Sequence, residues 1–174
     1  MMIRIARYED LSEIMIIVKE TIEDLQNEGN YQWSDNYPSY EQFETDIKHA
    51  ELYVDVENNE VAGFICINKK ADLAYELVKW TFNLEAIIIH RFAVKRKYQR
   101  MHIGTKLIEF VEEFTLNNGV SYLKVDTNSK NRRMNAFFKY HNFNFIGTIH
   151  LRGLKDEFNC YEKKLGKGES YETR

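Results

Sequence analysis

The stretch Ala86 to Phe110, AIIIHRFAVKRKYQRMHIGTKLIEF, constrains the fold more than any other part of the chain. Ala86 to Val94 is an Ile-rich apolar run without Gly or Pro, which reads as a buried strand. Lys95 to His102 is a basic turn, and beyond it Ile103, Leu107, Val111 and Phe114 fall on one face at helical spacing. The order is strand, cationic loop, helix start. The first N–H groups of a helix lack intrahelical partners and carry the positive end of its dipole, so this junction suits a phosphate. Arg96, Lys97 and Arg100 add positive charge at the same end.

That basic turn is a local patch, because the 174 residues carry a net charge of −3, which argues against a nucleic-acid partner. A hydrophobic fraction of 44% with 14% aromatics supports one core-forming domain, expected over residues 1–165, followed by a loosely ordered polar tail at 166–174. Cys66 and Cys160 fall in expected strands without metal-ligand spacing, and read as reduced core thiols of a cytoplasmic protein. His49, His141 and His150 show no mutual metal spacing either, so no metal site is expected. No secretory signal or run of about 18 apolar residues appears, so no membrane partner is expected.

Along the chain, Ile3 to Arg7 alternates as a strand, and Asp10 with Glu13 has the spacing of a capping box before a helix reaching about Asn27. Gly29 to Ser39 is a loop holding Tyr31, Trp33 and Tyr37, after which Ser39 can cap a second helix. These aromatics either lid the core or wall an acceptor pocket. Leu52 to Val56 and Val61 to Ile67 read as a hairpin, and Lys69 to Leu84 as a long connection. Tyr122 to Thr127 is a strand reached through a helical crossover, which makes it parallel to the Ala86 strand. A helix at Met134 to Tyr140 and two closing strands complete a mixed α/β fold, with a sheet of about six to seven strands and about four helices.

In this order the segments resemble the GNAT N-acetyltransferase superfamily over nearly the whole chain. The family's phosphate loop reads Gln or Arg, two residues, Gly, one residue, then Gly or Ala; here Gln99-Arg100-Met101-His102-Ile103-Gly104 keeps the second glycine and places His102 at the first. That departure implies weaker or reshaped cofactor binding, since a side chain replaces the hydrogen of glycine beside the diphosphate. The resemblance implies that acetyl-CoA is the cofactor and that Gln99 to Thr105 hold its diphosphate. Phe92, Ala93 and Val94 would present backbone to the pantetheine arm, with Asn131 and Phe138 near its thiol end. Tyr31-Gln32-Trp33 followed by Tyr37-Pro38 looks like the loop of a bacterial subgroup whose acceptors are mostly unassigned, which makes Tyr31, Trp33 and Tyr37 substrate-binding candidates.

The implied reaction is attack of a primary amine, of a small molecule or peptide, on the acetyl-CoA thioester. An amine of pKa ~10.4 sits about 3.4 units above pH 7, so deprotonation costs roughly 4.6 kcal/mol and the site must help. His90 is the first candidate base, since a histidine at the matching place relays protons in the arylalkylamine branch; a buried core histidine is the competing reading. Glu85 is the second candidate, against a solvated strand end. The family's frequent acid, a tyrosine, falls on Phe138, which cannot donate a proton. The alternative is therefore a catalytically weak or inactive acyl-CoA-binding sensor or interaction module. A homodimer is among the states the resemblance implies.

Overall fold

The computed structural model describes residues 2–166, so the tail expected from 166 lies outside the described residues from 167 onward. β1 (Met2–Ile5) leads through a 3-10 turn into α1 (Leu11–Asn27) and α2 (Tyr40–Lys48). The expected capping box is replaced. The Asp10 carboxylate accepts from two Arg4 N–H groups at 2.7 and 2.8 Å and from the Arg7 N–H at 2.7 Å, while Glu13 accepts from the Val61 N–H at 2.8 Å. A guanidinium within reach is a stronger partner for a carboxylate than a helix amide. Ser39 does cap α2, accepting from the Gln42 N–H at 3.2 Å.

β2 (Leu52–Glu57) and β3 (Glu60–Asn68) form the hairpin, turning on Asn58 and Asn59 with φ of 51° and 63°, a region asparagine tolerates. β4 (Ile87–Val94) is followed by a 3-10 turn at Arg96–Tyr98 and by α3 (Ile103–Asn117). β5 (Tyr122–Asn128), α4 (Arg132–Tyr140), β6 (Asn144–Ile149) and β7 (Phe158–Lys164) complete the order. The seven strands form one sheet in the order β1-β2-β3-β4-β5-β7-β6. Only β4 and β5 pair in parallel among the described strands, with α3 as their crossover.

Both faces of the sheet are covered. Ile65, Ile87, Ile89, Leu107 and Val111 pack between the sheet and α3, while Leu11, Ile14, Ile17, Phe43 and Phe64 pack on the side of α1 and α2. A fully buried Ile or Phe contributes about 1.5–3 kcal/mol, so the centre of β4, apolar on both faces, is firmly held. The connection at 69–86 is not bare loop: it carries a 3-10 turn at Leu73–Leu77 and packs Tyr75, Trp80 and Phe82 over Ile88, Tyr122 and Phe158.

Two features of β4 shape the site. Ile65 pairs with Phe92 and Ile67 with Ile89, so two steps on β3 match three on β4 and a bulge falls at His90–Arg91. On its other edge β4 pairs with β5 only as far as Ile89 with Val125, after which the strands part.

Candidate active site

A cavity of about 670 Å³ occupies the fork between β4 and β5. The β5-facing edge of β4 beyond Ile89 has no strand partner, so the backbone of Phe92, Ala93 and Val94 borders this space. At one end of the cavity lies the turn into α3. The N–H groups of Gln99 and Met101 are taken inside the turn by Arg96 and Tyr98 carbonyls, at 3.3 Å each. Those of Arg100, His102, Ile103, Gly104 and Thr105 have no protein acceptor among the described residues. The turn is wound by left-handed residues, Arg100 at φ 64° and His102 at φ 62°. His102 therefore adopts the conformation that glycine takes most easily. Gly104 admits no side chain without crowding: a Cβ there would lie 3.3 Å from Phe137 and 3.6 Å from Phe92.

The three basic residues of this turn have different fates. Arg96 is turned onto α1, donating to Asp24 at 2.9 Å and Glu23 at 3.1 Å, and Lys97 is paired with Glu60. Lys95 and Tyr98 also donate to Glu60, and with Lys97 they hold its carboxyl at about 2. Only Arg100 of the three expected phosphate-side cations has no ion-pair partner among the described residues. Met101 is exposed and outside the cavity lining, because the left-handed turns on either side of it point it to solvent. Ile103 is 2% exposed and works mainly as core. Asn131 borders the cavity and caps α4, accepting from the Met134 N–H at 3.2 Å. Phe138, though it backs the cavity wall, is a core residue packed on Phe143 and Tyr161.

The opposite end is made by distant segments. His90 borders the cavity, its Nε2 2.7 Å from Asn68 Oδ1, and burial, aided by the Arg91 charge, holds the imidazole down to about 4. It is neutral at physiological pH and a weaker base than its ordinary value suggests. Arg91 is clamped by Asp46, with Nε to Oδ2 at 2.8 Å and Nη2 to Oδ1 at 2.7 Å, and forms part of the floor. Glu85 is withdrawn as a base: it lies outside the lining, its side chain 63% exposed and paired with Lys69 at 2.8 Å. Trp33 is stacked on Phe64 at 6.3 Å and lines the cavity, as does Tyr37, whose ring lies under the Arg152 guanidinium at 4.1 Å. Tyr31 is exposed and off the lining, since the loop turns it to solvent.

Sequence reasoning missed Asp126, Tyr75 and Arg152, all on this wall. Tyr75 donates to Asp126 Oδ2 at 2.7 Å, and burial pushes the Asp126 carboxyl up to about 6. No sequence signal set Asp126 apart, since its strand also carries Lys124, Thr127 and Asn128. Both buried thiols, Cys66 and Cys160, are pushed up to about 12 by burial and stay protonated.

A mixed sheet that forks after a short parallel pairing, with unengaged helix-start amides at one end of the fork, is the architecture of an acyl-CoA-dependent acyltransferase. The sequence matches the acetyltransferase (GNAT) family over residues 18–143, and the chain belongs to that family, whose members generally use acetyl-CoA as cosubstrate. A chain from Staphylococcus aureus Mu50 classed provisionally as an acetyltransferase is 28% identical, with 95% of this chain and 100% of that one covered and a TM-score of 0.76. A GNAT-family acetyltransferase from Streptococcus agalactiae 2603 shares the fold at 19% identity, with a TM-score of 0.84 over 95% and 96% of the two chains. Ribosomal-protein-alanine N-acetyltransferase from Brucella melitensis does so at 16% identity, with a TM-score of 0.70 over 95% and 100%. No curated protein sequence matches this chain.

Proposed function

We propose that the chain, as one domain over residues 1–165, moves acetyl from acetyl-CoA to a primary amine of a small molecule or peptide. The observation that carries this reading is that the unengaged amides at Arg100 and at residues 102–105 share one cavity with an acidic and aromatic pocket. The residues fit the cosubstrate. Five N–H groups and Arg100 suit a diphosphate, Gly104 keeps the approach open, and the free edge of β4 suits the amide-bearing arm. Bound acetyl-CoA supplies an electrophilic carbonyl and a thiol leaving group of pKa ~8.5, which can depart with little help from an acid. The protein's part is to hold the thioester end in the fork, where a backbone N–H near Val94 can face the developing oxyanion and where Trp33, Tyr37 and Phe158 restrict water.

Asp72 and Asp126 have no ion pair among the described residues, which favours an acceptor that arrives as a cation. Reduced buried thiols and the net charge of −3 support a cytoplasmic chain without nucleic-acid partners. No described helix is long and apolar enough to cross a membrane.

A second reading has its own support: with Phe138 1% exposed in the core, the place of the family's usual acid is filled by packing, as an acyl-CoA-binding sensor or interaction module without turnover would allow. Calorimetry with acetyl-CoA, followed by CoA release across a panel of amines, polyamines and peptides, separates the two. Binding with release supports transfer, binding without release supports the sensor, and no binding at high micromolar acetyl-CoA ends both.

A further inference from the structure

We infer that Asp126, rather than His90, is the catalytic base that receives the proton of the acceptor amine. The inference rests on the acetyl-transfer reading above. The last β4–β5 pair is Ile89 with Val125, so His90 and Asp126 are the first residues of the two arms of the fork and both line the cavity. They are not equivalent. His90 Nε2 is already engaged by the Asn68 side-chain oxygen at 2.7 Å, an acceptor that assigns the imidazole proton to Nε2. Asp126 is fixed through only one oxygen: Tyr75 donates to Oδ2 at 2.7 Å, and no described residue donates a hydrogen bond to Oδ1. The Tyr75 turn is itself pinned, since Trp80 Nε1 donates to the Tyr75 carbonyl at 2.9 Å. One carboxylate oxygen is held, the other has no hydrogen-bond donor among the described residues, and the residue lines the cavity, the arrangement a proton acceptor needs.

The charged and titratable groups facing Asp126 are Tyr75 and Asp72 on the 3-10 connection, His90 on β4, Cys160 on β7 and Arg152 on the β6–β7 loop. Burial raises the carboxyl to about 6, whereas burial lowers the imidazole to about 4. Burial thus shifts the two groups in opposite directions, and makes Asp126 the stronger proton acceptor and His90 the weaker. In the step, the acceptor cation first loses one proton to solvent; the freed amine nitrogen then bonds to the thioester carbonyl carbon, the C–S bond breaks and sulfur leaves with the electron pair. The nitrogen, made acidic by the new bond, gives its proton to Asp126 Oδ1, and the thiolate takes one from solvent.

The test uses the full chain, acetyl-CoA and whichever amine of the panel the wild type acetylates best. Asp126→Asn is expected to lower kcat/KM by 10²–10⁴-fold while leaving acetyl-CoA affinity by calorimetry unchanged, and Asp126→Glu to restore part of the activity. In the wild type, kcat/KM is expected to fall as pH drops through about 6, the value to which burial raises Asp126. Tyr75→Phe removes a donor that favours the ionised form, so it should move that limb to higher pH. Carboxyl ¹³C NMR of the ligand-free chain, with the Asp126→Asn spectrum subtracted, should show the same titration and the same Tyr75→Phe shift. If the wild type acetylates an amine but Asp126→Asn loses less than tenfold, or the carboxyl titrates below pH 4, Asp126 is not the base although transfer stands. If the wild type acetylates nothing, the transfer reading itself fails and this inference with it.

Discussion

At one end of the cavity a continuous run of chain, residues 92–105, offers peptide groups; at the other, several separate segments between Gln32 and Phe158 offer side chains. The first end needs only a strand, a left-handed turn and a helix start, because its donors are the amides that any helix leaves unpaired. The second needs the β4–β5 register, the bulge at His90–Arg91 and the packing of the 69–86 connection before Asp126, Tyr75 and Tyr37 meet. A backbone site is thus written locally, whereas a side-chain site exists only once the tertiary fold does.

The largest expected effect breaks the second end. Arg91 is 7% exposed and its charge is answered by Asp46 through two hydrogen bonds. Asp46→Ala leaves that guanidinium buried and unpaired, which should cost about 3–5 kcal/mol in urea-unfolding free energy. A loss under about 1 kcal/mol would mean that water reaches Arg91 and that the floor of the acceptor end is not a packed element.

At the first end, Gly104→Val should leave the fold intact but weaken acetyl-CoA binding by about a hundredfold, roughly 2.7 kcal/mol. The new side chain must enter space already bounded by Phe137 at 3.3 Å and displace whatever the neighbouring amides would hold. Calorimetry reads the affinity and a melting curve verifies folding; unchanged affinity would place the diphosphate elsewhere.

The sheet, the parallel crossover and the α3 face were legible because their apolar periodicity is dictated by burial alone: Ile87, Ile89, Leu107 and Val111 are where the pattern puts them. Ser39 as a cap was legible for the same reason, one local bond deciding it. Asp10 was misread because its true partner, Arg4, is on a strand that the local pattern does not connect to the helix. Glu85 and Tyr31 lie off the cavity lining because a strand end and a loop tip face solvent or cavity according to tertiary packing, which spacing does not encode. Asp126 was passed over because, without the β5 register, an acid in a strand is indistinguishable from an edge residue.

The smallest expected effect sharpens the boundary between the two kinds of site. Arg96 and Arg100 lie four residues apart in one basic turn and look interchangeable in sequence. In the fold, Arg96 is spent on Asp24 and Glu23, while Arg100 remains unpaired among the described residues beside the open amides. Arg100→Gln should weaken acetyl-CoA binding by about fivefold, close to 1 kcal/mol for an exposed charge, and the deficit should shrink as salt rises because such charges are screened. Arg96→Gln should leave the affinity where it was, since its charge is already answered by α1. Calorimetry of both variants at low and high salt decides the matter: equal losses would mean that the whole turn acts as a diffuse cationic patch. A loss confined to Arg100→Gln would mean that tertiary pairing, and not composition, selects which charge meets the phosphate.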